Sequence, residues 1–141
     1  MDWIQLLPKE IHAHIIPYTY QVQPNKMLRD IENYKETHDV LFGLYHDYWN
    51  DIQPSEYKHW LMNDIFSYAN HYKPMMYGYV DHFYHLFKRN TQLQTMDAIH
   101  RYVSKLEDKH VNTQINIVLG LFTVYERTDL VIDLSSKLEL D

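Results

Sequence analysis

The most regular pattern in this chain is the recurrence of apolar residues every three or four positions, the period of a helix with one buried face. Its clearest stripe, between residues 76 and 87, consists of Met76, Tyr79, Val80, Phe83, Leu86 and Phe87. The opposite face of the same stretch carries His82 and His85 among charged residues. No segment alternates apolar and polar residues as a half-buried strand does. The spacing therefore predicts an all-α fold without a sheet.

Prolines and a serine divide the first half of the chain into elements. Pro8 suits the first position of a helix that Pro17 ends after about two turns. Separate helices are then expected around residues 28–34 and 37–50, and Ser55 is expected to cap the helix after them. The faces expected to be buried contain Leu28, Ile31, Tyr34, Val40, Leu41, Leu44 and Tyr48, and in the capped helix Tyr57, Trp60, Leu61, Ile65, Tyr68 and Tyr72.

Two residue pairs in the second half have the spacing of a capping box, namely Thr91 with Gln94 and Thr123 with Glu126. Gly120 is expected to end the helix before the second pair in a left-handed conformation. The helices that follow the two pairs would bury Met96, Ile99, Val103 and Leu106, and then Leu130, Val131, Leu134 and Leu138. The pattern as a whole predicts a compact orthogonal bundle of about seven to eight short helices.

Composition narrows the class of protein. A length of 141 residues with 45% apolar content predicts one packed domain over residues 1–141, with an N-terminal part at 7–50 and a helical remainder at 55–141. The net charge of −6 disfavours nucleic-acid partners, which need a surplus of Lys and Arg. No apolar run approaches the ~20 residues that span a bilayer, and the start has no basic n-region, so neither membrane insertion nor secretion is expected. Cysteine is absent, which excludes disulfides and thiol chemistry.

Histidines are the first candidates for chemistry, because the chain has 10 of them. His82 and His85 are three positions apart on one helical face, so they could share a metal ion if a third ligand approached. The available third ligands are His59, His71 and His100. The simpler interpretation is the polar side of an amphipathic helix, and no metal or other cofactor is predicted. His12 and His14, two positions apart, point away from each other and are interpreted as solvated residues.

Enzyme classes find little support in the motifs. The doublets His38-Asp39 and His46-Asp47 have the form of the His-Asp pair that binds metal in helical phosphohydrolases of the HD type, which makes that activity a remote alternative. There is no G-x-S-x-G elbow and no glycine loop that could cradle a phosphate. We therefore predict a non-enzyme.

The stretch "LPKEIHAHIIPY" resembles the opening of an F-box, which reads Leu-Pro-x-Glu-Ile/Leu with further apolar residues at helical spacing. The matching positions are Leu7, Pro8, Glu10, Ile11 and Ile15. A two-turn helix is too short to be stable alone and must bury its apolar face against something. In F-box proteins that partner is a Skp1-type adaptor of a ubiquitin ligase, so the resemblance implies docking through these residues together with Tyr18.

The combination of "LPKEIHAHIIPYTYQ", "QPNKMLRDIENY" and "LGLFTVYERTDLV" is similar to a group of short F-box-like proteins of giant DNA viruses. The resemblance implies a viral protein–protein interaction domain in the host cytoplasm, at the virus factory, or in the virion. The alternative is a structural virion component, a minor capsid or cement protein, which the 13 tyrosines and 6 methionines also suit because both residue types favour contact surfaces. The expected partners are a Skp1-type adaptor or other virion proteins, and self-association stays open.

Overall fold

The computed structural model describes residues 24–52 and 56–140. These residues form six α-helices, which we number α1 (Pro24–Trp49), α2 (Tyr57–Ala69), α3 (Asp81–Phe87), α4 (Met96–Ser104), α5 (Val111–Leu121) and α6 (Val124–Leu140). Two short 3-10 helices, Met75–Tyr77 and Leu106–Asp108, precede α3 and α5. No strand occurs within these ranges, so the prediction of an all-α fold is confirmed. None of the described helices combines the length and the apolar character that crossing a bilayer would need.

Within the described residues there are fewer helices than the sequence predicts. The two helices expected around residues 28–34 and 37–50 are one continuous helix, α1. The residues between them, Lys35 and Glu36, are good helix formers, and neither proline nor glycine interrupts the chain there. Conversely, the stripe that begins at Met76 is not one helix, because the chain turns at Gly78 with φ +96° before α3 starts. The helix expected at residues 7–16 and the cap at Ser55 lie outside the described residues.

The core lies where α1 packs against α2 and α6 and where α2 packs against α5. Fully buried side chains from all these helices meet there, among them Leu41, Tyr45, Leu61, Ile65, Leu119 and Leu130. Each contributes about 1.5–3 kcal/mol through burial of apolar surface. Phe83, Leu86 and Phe87 join the same core from α3, as their spacing predicts.

Several residues predicted to be buried are exposed. Val40 is 50% exposed, Trp60 41%, Tyr72 57% and Met76 82%. Leu28 and Met96 are likewise exposed. Helical spacing identifies the apolar side of a helix but not how much of that side a neighbouring helix covers, so these positions lie at the open edges of the stripes.

Of the two predicted capping boxes, one is confirmed and the other was wrong. At the start of α6, the Thr123 N–H donates to Glu126 Oε1 at 2.8 Å and the Glu126 N–H donates to Thr123 Oγ1 at 3.1 Å, so this capping box is confirmed. At α4 the prediction was wrong, because Thr95 rather than Thr91 is the N-cap and accepts from the Ala98 N–H at 3.1 Å. Gly120 does not end its helix either, since α5 continues to Leu121.

One buried arginine joins three helices. Arg127, on α6, is 1% exposed, and its Nη1 lies 2.7 Å from Asp30 Oδ1 on α1. Its Nε donates to the carbonyl of Leu119 near the end of α5 at 2.8 Å. A buried charge is tolerated only when it is paired and hydrogen-bonded, and both conditions hold here. Arg127 therefore fixes the first turns of α1 to the turn between α5 and α6.

Candidate functional site

The docking residues predicted from the sequence all precede the described part of the chain. They are Leu7, Pro8, Glu10, Ile11, Ile15 and Tyr18, and His12 and His14 lie in the same segment. The description begins at Pro24, where α1 starts. The structure therefore describes the helical body formed by residues 24–52 and 56–140, to which this segment is joined. The docking residues stay a prediction.

The structure brings His82 together with one of the other candidate metal ligands. Its ring stacks on that of His71, with centroids 4.3 Å apart and an interplanar angle of 23°. His85 is exposed on α3, and His100 stacks on Tyr84 instead. Within residues 24–52 and 56–140, no three side chains of the His, Cys, Asp and Glu types lie close enough to hold one metal ion.

The two His-Asp doublets lie on the outer side of α1. His38 Nδ1 is 3.1 Å from its neighbour Asp39, and His46 Nδ1 is 3.4 Å from Asp47. The carboxylates of both pairs are well exposed to solvent. Each imidazole therefore interacts with the adjacent residue in its own helix.

An open cleft of about 500 Å³ lies where the end of α2 faces the start of α6. Its main lining residues are Tyr68, Tyr72, Phe122, Tyr125, Glu126 and Asp129. The stacked rings of His71 and His82 form one side. We call this feature the tyrosine cleft, and it is the strongest candidate for a functional site because it combines concave shape, aromatic faces and carboxylates.

The backbone that carries Tyr72 into the cleft is strained. His71 and Tyr72 have φ values of 54° and 62°, in the left-handed region that costs a non-glycine residue about 1–3 kcal/mol. The Tyr72 N–H donates to the carbonyl of Ser67 at 2.7 Å, which closes the end of α2. Such strain persists only where surrounding contacts hold it, and it occurs most often at functional sites.

Asn70 supplies contacts that hold this loop. It is fully buried, and its amide nitrogen donates to the carbonyls of Lys73 at 3.0 Å and Gly78 at 3.3 Å. Its side-chain oxygen accepts from the Val80 N–H at 2.8 Å. One side chain thus binds the loop between α2 and α3 at three points and fixes the position of His71 and Tyr72, the first residues of that loop after Asn70.

Two tyrosines pair with two aspartates across the cleft. The Tyr68 hydroxyl donates to Asp129 Oδ2 at 2.8 Å, and the Tyr72 hydroxyl donates to Asp133. The tyrosines are four positions apart and so are the aspartates. The pairs form two rungs, one from Tyr68 on α2 to α6 and one from Tyr72 in the loop after α2 to α6. Burial first, and then these hydrogen bonds, raise the pKa of both phenols well above the usual value. The phenols therefore stay neutral at physiological pH.

The aromatic rings in the cleft stand at right angles to one another. Tyr68 lies 6.1 Å from Tyr72 at an interplanar angle of 86°, and 5.5 Å from Phe122 at 81°. Tyr125 stands at the rim with 80% of its surface exposed. Both pairs are edge-to-face contacts, which aromatic rings prefer, so Tyr68 is packed between Tyr72 and the buried Phe122.

Charges around the cleft are distributed unevenly. Arg89 Nη1 donates a hydrogen bond to Glu126 Oε1 at 2.5 Å. Burial alone would raise the pKa of Glu126, but the hydrogen bonds from Arg89 and Thr123 outweigh burial, so the pKa is lowered. Burial, and then the neighbouring His71, lower the pKa of His82. The imidazole is therefore neutral near pH 7, while Asp129 leaves a negative charge at the cleft.

A second surface feature lies between α1 and α6. A groove of about 210 Å³ is lined by Asn33, Glu36, Thr37, Val40, Thr128, Val131 and Ile132. Val40 and Ile132 are 50% and 62% exposed, so apolar side chains face solvent there. We call this the apolar groove.

The sequence shows the spacing of the residues that form the tyrosine cleft but not how they pair. The four-residue spacing of Tyr68 and Tyr72, and that of Asp129 and Asp133, are visible in it, but the rungs join residues that are 61 positions apart. Tyr68 and Tyr72 were assigned to a buried face because aromatic residues at helical spacing usually belong to one. No protein-family model, no curated protein and no solved structure matches this chain.

Proposed function

We propose that this chain is a non-enzymatic protein–protein interaction domain that acts as an F-box-like adaptor in a virus-infected cell. The observation that carries the proposal is the apolar groove, where Val40 and Ile132 stay exposed beside the partly buried Val131. Neighbouring apolar side chains in a surface groove mark contact sites. Glu36 is the charged residue in the lining, so the groove suits a partner that inserts an apolar side chain flanked by Lys or Arg.

An adaptor needs two contacts, and the second is the predicted docking segment. Its residues Leu7, Pro8, Glu10, Ile11, Ile15 and Tyr18 would bind a Skp1-type adaptor. The body supports this role because Arg127 anchors Asp30 and Asn33, early in α1. The segment before Pro24 is therefore joined to a helix whose position in the body is fixed.

The docking segment is tested by pull-down with a purified Skp1-type protein. Ile11→Asp and Ile15→Asp should each abolish capture, because a carboxylate in a buried apolar contact costs several kcal/mol. Ile132→Asp, in the apolar groove, is the matched control and should retain capture. Circular dichroism must show that each variant keeps its helices. Equal capture of wild type and both isoleucine variants, or no capture at all, refutes F-box-like docking.

The groove has a separate test. Proteins captured from infected cells by the wild type should be lost with Ile132→Asp and retained with Val124→Asp, which changes an exposed β-branched side chain of the same helix outside the groove. Loss with both variants, or with neither, contradicts a specific contact at the groove.

A structural virion component is the second candidate. The observation that favours it is a separate exposed apolar surface at the 3-10 helix after Pro74, where Met76 and Tyr77 are 82% and 83% exposed. A minor capsid or cement protein needs contacts on several sides. Mass spectrometry of purified particles decides between the candidates: high copy number supports the virion component, whereas absence from particles rejects it and leaves the host cytoplasm.

A further inference from the structure

We propose that the tyrosine cleft binds an alkylated ammonium group, such as the side chain of a methylated lysine or the head group of choline. This site is distinct from the docking segment and from the apolar groove, and the inference does not depend on either. It rests on the shape of the cleft, on its charge and on how rigidly its rings are held.

Shape is the first argument. Tyr68 stands nearly perpendicular to Tyr72, at an interplanar angle of 86°, and packs on Phe122, which is 1% exposed and supports Tyr68 without reaching the surface. A cation is attracted to the face of an aromatic ring within about 6 Å of its centroid, and the well exposed ring of Tyr72 offers such a face. Tyr125 lines the same space, and its large exposed fraction allows it to close over a ligand.

Charge is the second argument. Asp129 lines the cleft, and Asp133 lies one helical turn further along α6. The positive charge of Arg89 is directed at Glu126 and at the carbonyl of Leu121, to which its Nη1 donates. A cation in the cleft therefore meets carboxylates, while an anion would be repelled.

The surface of the cleft also selects the kind of cation. A bare lysine ammonium is strongly hydrated and must place its N–H donors on acceptors when it leaves water. In the cleft, Asp129 and Asp133 already accept a tyrosine hydroxyl each, and the exposed ring faces of Tyr72 and Tyr125 offer an ammonium N–H no lone pair. A trimethylammonium group has no N–H to satisfy and presents only methyl groups to the rings. The cleft therefore favours the alkylated cation.

Rigidity is the third argument. Asn70 holds the loop on which Tyr72 lies, and the bonds of Tyr68 to Asp129 and of Tyr72 to Asp133 fix the ring planes before a ligand arrives. Binding then does not have to order these side chains, each of which would otherwise lower the affinity.

The test is a titration of the full chain, followed by nuclear magnetic resonance of backbone amides. The probes are acetylated trimethyllysine amide, choline, unmodified acetylated lysine amide, and a neutral analogue in which a tert-butyl group replaces the trimethylammonium. We expect saturable shifts at Tyr68, Tyr72 and Tyr125 with trimethyllysine, and affinity about tenfold weaker for the neutral analogue, a difference of about 1.4 kcal/mol.

Matched variants separate the ring from its hydroxyl. Tyr72→Leu and Tyr125→Leu should each weaken trimethyllysine binding about tenfold, whereas Tyr72→Phe keeps the aromatic face and should retain most of the affinity. Tyr77→Leu removes an exposed tyrosine outside the cleft and should change nothing. The three substituted side chains, Tyr72, Tyr77 and Tyr125, are largely exposed, so the variants are expected to fold.

The two sources of the ligand are distinguished by the choline arm. Trimethyllysine binding tighter than choline identifies a methylated protein, and the reverse identifies choline or its lipid head group; either result supports the site. No saturable shift in the cleft overturns the proposal. The proposal is also overturned if the neutral analogue or unmodified lysine binds as tightly as trimethyllysine. It is overturned as well if Tyr77→Leu weakens binding as much as Tyr72→Leu does. Loss of adaptor capture in the pull-down leaves these results unaffected, because no cleft residue belongs to the docking segment.

Discussion

Replacing Arg127 by methionine should destabilise the protein more than any substitution of a surface arginine. The guanidinium is 1% exposed, and it makes two short charge-assisted bonds, to Asp30 Oδ1 at 2.7 Å and to the carbonyl of Leu119 at 2.8 Å. Three longer bonds go to the Asp30 carbonyl, to Asn33 and to the Gly120 carbonyl, at 3.0, 3.3 and 3.5 Å. Methionine retains most of the apolar stem and removes all five.

The size of the effect follows from the two short bonds. Hydrogen bonds to charged groups contribute about 1.5 kcal/mol or more each, which gives about 3 kcal/mol for the pair. Breaking a buried ion pair by removing one partner costs about 3–5 kcal/mol, which agrees. Arg127→Lys keeps the charge but has no planar fork, so it should lose roughly half as much. For a chain of this size, about 3 kcal/mol corresponds to a drop in Tm of about 12 °C.

Urea unfolding followed by tryptophan fluorescence measures this loss. Trp49 and Trp60 stack across α1 and α2, with ring centroids 5.0 Å apart, so their emission reports whether the two helices are packed. Arg101→Met on the exposed side of α4 is the matched control and should stay within about 0.5 kcal/mol of the wild type. A loss below about 1 kcal/mol for Arg127→Met, or an equal loss for Arg101→Met, would refute the assignment of this arginine as the joint between α1, α5 and α6.

Three further predictions concern caps, loops and pH. Thr123→Ala removes one half of the capping box of α6 and should cost about 1 kcal/mol in urea unfolding, whereas Thr123→Ser should cost almost nothing; equal losses would contradict the cap. Asn70→Ala leaves buried backbone groups of the loop after α2 unsatisfied and should cost about 2–3 kcal/mol, with faster amide exchange at Val80, whose N–H loses its acceptor; unchanged exchange would show that the loop is held by other contacts. Because the pKa of Glu126 is lowered in the folded state, its contribution to stability is fully present above the pKa of the unfolded chain and is lost as the pH falls through the lower folded value. Arg89→Gln should therefore reduce the acid dependence of the unfolding free energy at pH values below the pKa of the unfolded glutamate, and an unchanged dependence would contradict this coupling.

Features set by neighbouring residues could be predicted from the sequence. The capping box at Thr123 and Glu126 is such a case, because its two hydrogen bonds join residues three positions apart. Local rules fail where two residues compete for one role. Thr91 and Thr95 could each cap α4, and Thr95 does so because its backbone is extended, with φ −126° and ψ 156°.

Contacts between distant helices could not be predicted in this way. The spacing in α1 assigns Leu41 and Val40 to a buried face and omits Tyr45, but Tyr45 is fully buried and Val40 is 50% exposed, because burial depends on where α2 and α6 lie. The tyrosine cleft depends even more on tertiary packing, because its rungs join the end of α2 to α6. Helical periodicity tells apolar faces from polar ones, and it contains no information about which tyrosine hydroxyl meets which carboxylate.

The bond between Arg127 and Asp30 spans 97 positions of the chain, and this separation affects the order of folding. Closing so long a loop is entropically expensive, so the interior helices can form before α1 and α6 meet. During synthesis on the ribosome, the part of α1 that packs against α6 must wait until residue 127 has emerged, whereas Tyr45 can already bond Asp64 on α2. Until then Tyr34, which is buried in the finished protein with the Arg127 guanidinium over its ring, is available to chaperones or to other nascent chains.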